Sequence, residues 1–445
     1  MTVEEMQGKI TRLSSVDEGA SGQKVRMAGW IQDIRNLGGI AFIIMREREG
    51  VFQVTSIRKK DPELFEGIVS VPRESVLIVD GTVQKNEEVI NGFELIAESF
   101  QLVSEAQTPL PLGVIDKVGA DLDTRLNNRF LDLRKEEILS LFRLRNIVEG
   151  AMRNFFEKND FIEVHTPKIV AAGAEGGATL FPLNYFDSEA YLAQSPQLYK
   201  QMLMGAGFDR VYEIAPAYRA EASDTVRHIA EFISVDAEMS FIESSEDVMS
   251  LCERLVYHTL EETKRDGKDH LERWGVDISL PKLPFRRVGH DECISYLTEM
   301  GKGVDPEGGM DTEGEKLIGQ WIDEKHKEQF YFITNFPTSV VGKTFYAKRD
   351  DDSPDITEYF DLACGGLEIV SGGQREHRYD ILVKQIEENN LDPKEFDFYL
   401  KAFKYGMPPH GGFGLGVERL LQRIMGIRNI RECVLFPRDR ARLVP

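Results

Sequence analysis

The chain has 445 residues, 42% of them hydrophobic, and a net charge of −21. That length and apolar content suit two or three domains with sizeable cores, and the charge confines any nucleic-acid contact to local, salt-sensitive patches. Neither a membrane span, nor a disulfide framework, nor a structural zinc is expected. There is no long apolar run, and Cys252, Cys293, Cys364 and Cys433 are scattered without a CxxC pair. With no secretory pattern in MTVEEMQGKI, a soluble, cytoplasmic protein is expected.

From Lys24 onward the strands come in quick succession: KVRMAGWIQDI, IAFIIMR, VFQVTSI, SVLIVDGTV and FELIAESFQLV. Gly38-Gly39, Glu49-Gly50 and Asn91-Gly92 punctuate them, and Asp61 to Ile68 offers a short helix between the third and fourth. Five strands in that order predict an OB-fold β-barrel over residues 1–104. Such barrels bind single-stranded nucleic acid on an open face where aromatics stack bases. Phe42, Gln53 and Glu94 are candidates for that face, although Phe42 reads equally well as core.

Residues Thr108 to Asp123 hold two prolines and two glycines with no amphipathic period, which predicts a hinge over 105–133 and a second domain over 134–445. Lys135 to Asn159 reads as a long helix, with Ile138, Leu141, Phe142, Val148, Met152 and Phe155 at threes and fours. FIEVHTPKI then reads as a strand ending at Pro167. Helix and strand fit an intramolecular core or a dimer seam equally well.

Five clusters carry chemistry. Ala172 to Pro182 is a glycine-rich loop whose one charge is Glu175. In QSPQLYKQ, Ser195, Gln197 and Lys200 sit at a strand-to-helix junction, where backbone N–H groups and a lysine can hold a carboxylate. Arg210 to Met239 reads as strand, loop, strand: Val211 to Ala215 ending at Pro216, then Ile229 to Val235 returning. Its loop gathers Arg219, Glu221, Arg227 and His228, a set suited to a polyanion such as phosphate; an ordinary solvated hairpin is the plainer reading. In GGLEIVSGGQREHRYDIL, Glu368 and Ser371 offer hard oxygens suited to magnesium carried in with a nucleotide, and Arg375 stands nearby. GMPPHGGFGLGVERLLQRI closes the set with a glycine strand ending at Gly416 and a helix through Val417, Leu420, Leu421 and Ile424, with Arg419 in its first turn. Neither a Walker loop nor a Rossmann fingerprint is present, so a nucleotide would lie on an antiparallel sheet between arginines from two separate places.

Taken together, YRAEASDTVRH, GLGVER and the proline-ended helix–strand before both resemble motifs 2, 3 and 1 of the class II aminoacyl-tRNA synthetases, at about 210–239, 411–425 and 138–167. The barrel points to the subclass that charges aspartate, asparagine or lysine. QSPQLYKQ, SGGQREHRYD and GGFGLGVERL are similar to the aspartyl-tRNA synthetases of the archaeal and eukaryotic type. The resemblance implies an α+β fold: the OB barrel plus a catalytic antiparallel sheet flanked by helices.

It also implies roles. Arg219, Glu368 and Arg419 would be catalytic. Arg219 would bind the α-phosphate and the forming anhydride, Glu221 would read the adenine amino group, and Phe232 and Arg419 would sandwich the base. Arg227 and His228 would hold the β- and γ-phosphates, with Ala220, Ile229, Gly416, Val417 and Glu418 completing the ATP site. Glu368 and Ser371 would carry Mg2+. Lys200 and Arg375 would clamp the side-chain carboxylate of L-aspartate, with Leu198, Tyr199, Arg219 and Ser371 around it. Glu175, Gln197 and Asp236 would take its ammonium group. Phe42, Gln53 and Glu94 would read the anticodon of tRNA(Asp), and Pro167 would lie in a homodimer interface. Strict or relaxed choice between tRNA(Asp) and tRNA(Asn) would turn on barrel positions near Gln32 and Glu88, which match neither behaviour. The alternatives are an asparaginyl-tRNA synthetase, disfavoured by SPQL and Lys200, a tRNA-independent asparagine synthetase, disfavoured by the barrel, and a tRNA-binding paralogue without catalysis, disfavoured by intact Arg219, Glu368 and Arg419.

Overall fold

Met27, Gly29 and Ile31 turn inward from β1 (Lys24–Asn36) of the computed structural model, while the residues between them stay half-exposed. That period of two buries one face of a strand. It recurs along β2 (Ile40–Glu47), β3 (Gly50–Ile57), β4 (Val76–Lys85) and β5 (Phe93–Ser104). The strands close into a barrel in the order β1-β2-β3-β5-β4. The helix Pro62–Ser70 follows β3 and puts Phe65 and Ile68 into the barrel core. Asp61 caps it, accepting from the Leu64 amide at 2.9 Å. The OB order read from the sequence is the observed one. The structure describes residues 10–16, 18–115, 119–171, 180–220, 225–304, 309–341 and 344–445, and divides into two units, residues 1–135 and 136–445.

The second unit opens with the helix Glu136–Lys158, whose buried stripe runs through Leu141, Leu144, Val148, Met152 and Phe156. Phe142, expected on that stripe, is only half-buried. Phe156 stacks on Tyr212 with ring centroids 4.6 Å apart. The strands are β6 (Ile162–Glu163), β7 (Ile169–Val170), β8 (Pro182–Tyr185), β9 (Ser188–Leu192), β10 (Arg210–Tyr218), β11 (Glu231–Ser240), β12 (Arg286–Gly289), β13 (Phe330–Thr334), β14 (Tyr359–Cys364), β15 (Leu367–Gln374) and β16 (His410–Gly416). Eight form one sheet in the order β12-β13-β14-β15-β16-β11-β10-β6, and β7-β9-β8 form a small second one. The helix Ser245–Asp266 covers the large sheet together with Glu136–Lys158, sharing one hydrophobic core with β11, β15 and β16. Its start is fixed by a capping box between Ser244 and Asp247.

Two expectations are corrected here. FIEVHTPKI does not form one strand to Pro167. Only Ile162–Glu163 pairs with the sheet, and the chain leaves because Glu213 takes both the Thr166 amide (2.8 Å) and its hydroxyl (2.7 Å). Nor does β10 end at Pro216, which pairs with Ile233 inside the strand. Its other neighbour, β6, reaches only Val211 and Tyr212, so the proline ring faces an open edge and no ladder bond is lost. The four cysteines are buried and free, and no helix among the described residues is long and apolar enough to cross a membrane.

Candidate active site

β11 lies between β10 and β16, and β16 lies beside β15, so side chains two apart on each strand share one face. The register sets Asp236 opposite Gly414, Gly414 opposite Ser371, and Ser371 opposite Asp361. Glycines at 414 and 416 leave this face low at its centre. Over it lies an open cavity of about 900 Å³, walled by Arg219, Arg227, His228 and Phe232 at one end and Gln197, Asp236 and Arg375 at the other. Glu368, Ser371, Gly416 and Arg419 form its floor and far wall.

The first end is rich in cations and has one flat aromatic face. The Arg219 guanidinium stands 5.3 Å from the centre of the Phe232 ring. Arg419 donates to the Glu368 carbonyl at 3.0 Å and approaches its carboxylate at 3.4 Å. Arg227 pairs with Glu315 at 2.9 Å, and His228 Nδ1 lies 2.6 Å from the Thr225 hydroxyl. Three forked cations around a planar platform suit a purine nucleotide triphosphate: one guanidinium stacks, the others meet phosphate oxygens.

The floor is acidic. The Ser371 hydroxyl lies between two carboxylates, 2.7 Å from Asp361 and 3.0 Å from Glu368. Burial and then the neighbouring Glu368 charge push Asp361 well above the usual carboxylate range. Burial and Glu368 push Glu315 up as well, against the pull of Arg227. Half-buried carboxylates set this close together fit a hard divalent cation that shares their charge. Among the described residues no cluster of three or more ligating side chains forms a complete cage, so phosphate oxygens and water would fill the remaining positions. Asp361 was not singled out from the sequence. Its signal is there: Asp361 and Glu368 flank Gly365-Gly366, whose φ values of 54° and 77° make the tight turn that folds one acid back towards the other.

The second end is a balanced set of buried charges. Glu238 bridges Arg375 (3.0 Å) and Lys200 (3.3 Å) and is wholly inaccessible. Burial alone would raise its carboxyl; Arg375 and Lys200 outweigh burial and hold it below the ordinary value. Lys200 also meets Asp236 and the Phe413 carbonyl, each at 3.0 Å. Arg375 uses Nε on Glu238 and Nη2 on the Gly412 carbonyl at 2.8 Å, and its Nη1 has no partner among the described residues. Lys200 and Arg375 therefore come together as expected, but not as equals. Arg375 borders the cavity, whereas Lys200 lies behind Asp236 with its ammonium donors already used.

On the barrel, Phe42 is half-buried and points away from the core side of Ala41 and Ile43, which rejects the reading of Phe42 as core. Gln53 and Glu94 are cross-strand partners, with the Gln53 amide donating to Glu94 at 3.1 Å. Gln53 lines a depression of about 950 Å³ whose rim also carries Gln32 and Glu88.

Residues 121–440 match the family of class II tRNA synthetases for D, K and N, and residues 25–103 match the OB-fold nucleic acid binding domain. The chain belongs to the class II tRNA synthetases. Among its relatives, an aspartate–tRNA(Asp) ligase of Pyrococcus abyssi is 50% identical over 97% of this chain and 98% of its own. An aspartate–tRNA(Asp/Asn) ligase of Methanopyrus kandleri is 51% identical over 95% and 96%. The structure of an asparaginyl-tRNA synthetase from Pyrococcus horikoshii with asparaginyl-adenylate superposes with a TM-score of 0.90 at 31% identity, covering 98% of this chain and all (100%) of that one. The synthetase is thus an ATP-dependent aminoacyl-tRNA ligase, and the asparaginyl structure is a relative in fold.

Several residues expected in the site of this synthetase do not reach the cavity. Leu198 packs among Phe345, Tyr399 and Phe403, and Tyr199 lies against Phe398. Val417 is fully buried in the main core, and Ala220 does not line the cavity. Glu418 touches the wall, but its carboxylate points inward, pairing with Arg145 at 2.8 Å and accepting from the Ile233 amide. Of these five side chains, all but Ala220's are held by packing or pairing that a sequence motif does not record. Glu175 and Glu221 lie outside the described residues.

Proposed function

We propose that this synthetase activates L-aspartate with ATP in the cytoplasm and transfers it to the 3′ end of tRNA(Asp). The observation that carries the choice of amino acid is Arg375: a buried guanidinium with one donor left at the cavity wall, on the opposite end of one platform from Arg219, Phe232 and Arg419. A four-carbon diacid places its side-chain carboxylate there. Asparagine would offer that donor only a neutral amide, a weaker acceptor whose NH2 end a guanidinium cannot meet.

In the first step the α-carboxylate attacks the α-phosphorus of ATP and pyrophosphate leaves. The carboxylate is ionised at neutral pH, so no general base is needed. Alignment and charge neutralisation then supply the rate. Phe232 and Arg419 hold the base, Arg219 meets the α-phosphate, and Arg227 and His228 meet the outer phosphates. Arg227 must exchange Glu315 for phosphate as ATP enters. Glu368, Ser371 and Asp361 would hold Mg2+, which neutralises phosphate charge. Asp236 and Gln197 face the substrate ammonium. In the second step the terminal ribose hydroxyl of the tRNA attacks the anhydride carbonyl.

Phe42, Gln53 and Glu94 are the proposed anticodon contacts; of these Gln53 lines the depression that Gln32 and Glu88 also border. Service to tRNA(Asn) as well is the second reading, favoured by the likeness to the Asp/Asn ligase of M. kandleri. A homodimer through 138–167 accords with Ile162, which is 49% exposed on an edge strand. Aspartate-dependent ATP–pyrophosphate exchange, followed by charging of purified tRNA(Asp) and tRNA(Asn), tests the proposal. Exchange with asparagine and not aspartate would overturn it.

A further inference from the structure

Beneath the amino-acid end of the cavity runs a chain of side chains that no part of the reaction above uses. His410 opens β16 and is fully inaccessible; Gln201 and Tyr399 are inaccessible as well. His410 Nδ1 lies 2.8 Å from the Pro408 carbonyl, and its Nε2 lies 2.9 Å from Gln201 Nε2. Gln201 Oε1 lies 3.0 Å from Gln197 Nε2 and 3.2 Å from the Tyr399 hydroxyl. Gln197 and Gln201 are one helical turn apart on the helix Gln197–Gly205, so their side chains share a face.

The directions of these bonds are fixed from one end. A backbone carbonyl can only accept, so His410 Nδ1 carries the proton. A neutral ring then has a bare Nε2, which accepts from the Gln201 amide nitrogen. Burial keeps the ring neutral, pushing its value down to about 4. With its nitrogen turned to His410, Gln201 has only its oxygen left for Gln197. Gln197 must therefore turn its own nitrogen inward, and its Oε1 is the end left for the cavity that it lines.

We infer that His410 is a positioning residue for amino-acid recognition: through Gln201 it locks the Gln197 amide so that an acceptor, and not a donor, meets the substrate ammonium. Without the lock, the Gln197 amide can rotate and present an NH2 group to a cation. The relay thus makes the site select for the α-ammonium group itself, separately from the carboxylate that Arg375 meets. The inference rests on the proposed placement of the amino acid beside Gln197.

The test uses the full chain and two ligands that differ only in that group: aspartate, and succinate, a four-carbon diacid without an ammonium, as a competitive inhibitor of exchange. His410→Phe should raise the KM for aspartate about 10- to 100-fold, the range of one charge-assisted hydrogen bond. The Ki of succinate and the KM for ATP should stay within about twofold. His410→Gln puts an amide oxygen where Nε2 was and should restore most of the aspartate affinity. Gln201→Met, which breaks the relay one step nearer the site, should repeat the His410→Phe pattern and serves if that variant does not fold. Equal loss of aspartate and succinate, an unchanged aspartate KM, or no recovery in His410→Gln would overturn the inference. Absence of aspartate-dependent exchange in the unaltered protein would instead overturn the proposed function.

Discussion

Arg145→Met tests how the helix Glu136–Lys158 is tied to the helix that carries Arg419. Arg145 pairs with Glu418 at 2.8 Å and with Glu149 at 2.7 Å, and donates to the Cys433 carbonyl at 2.8 Å. Glu418 is 1% exposed, so removal of its cation strands a buried carboxylate. Breaking a buried pair from one side costs about 3–5 kcal/mol, and the other lost contacts add roughly 1 kcal/mol. Arg145→Met with Glu418→Gln removes the stranded charge, so the double variant should recover about 3 kcal/mol of that loss. The loss also depends on pH. Burial already pushes Glu418 above its ordinary value against the pull of Arg145, and without Arg145 it rises further. A folded state that holds a proton more tightly than the unfolded chain loses stability as pH rises from the unfolded value towards the folded one. The deficit of Arg145→Met should therefore be small near pH 5 and large near pH 8. Guanidinium unfolding in a Trp30→Phe background reads the second unit through Trp274 and Trp321, the remaining two of the three tryptophans. Equal losses in the single and double variants, or a deficit independent of pH, would refute the reasoning.

Arg375→Leu should abolish aspartate-dependent pyrophosphate exchange, since it removes the cation at the amino-acid end of the cavity; normal exchange would remove the argument for aspartate. Gln53→Ala should weaken charging of tRNA(Asp) while exchange stays intact, and equal loss of both would sink the barrel assignment. Gly412→Ala should give little folded protein, read by soluble yield and circular dichroism. A methyl there would collide with the Ala237 carbonyl and the Glu238 carboxylate, neither of which can move without opening the β11–β16 pairing or the Lys200–Arg375 network.

Local patterns survive translation into the sequence because they depend on neighbours along the chain. The barrel strands, the long first helix, the β10–β11 hairpin and the glycine strand ending at Gly416 were legible as periods of two and of 3.6 with their turn residues. Arg219, Phe232, Glu368, Arg375 and Arg419 were legible because their spacing resembles a known family. Pro216 shows the limit of that local view: whether a proline ends a strand depends on whether a second strand lies beside it, and here none does.

The sequence by itself determined which residue types stand at each point of the platform, and so the class of chemistry. Only the tertiary structure decided which groups face the cavity and which stand behind it. Lys200 and Arg375 look alike on paper; Glu238, Asp236 and the Phe413 carbonyl occupy one and leave a donor of the other for a ligand. The same holds for Asp361, His410 and Gln201, whose roles come from partners far away in the chain. Charge compensation and hydrogen-bond direction inside a protein are settled by whatever lies within about 3–4 Å in space, and a sequence does not record that distance.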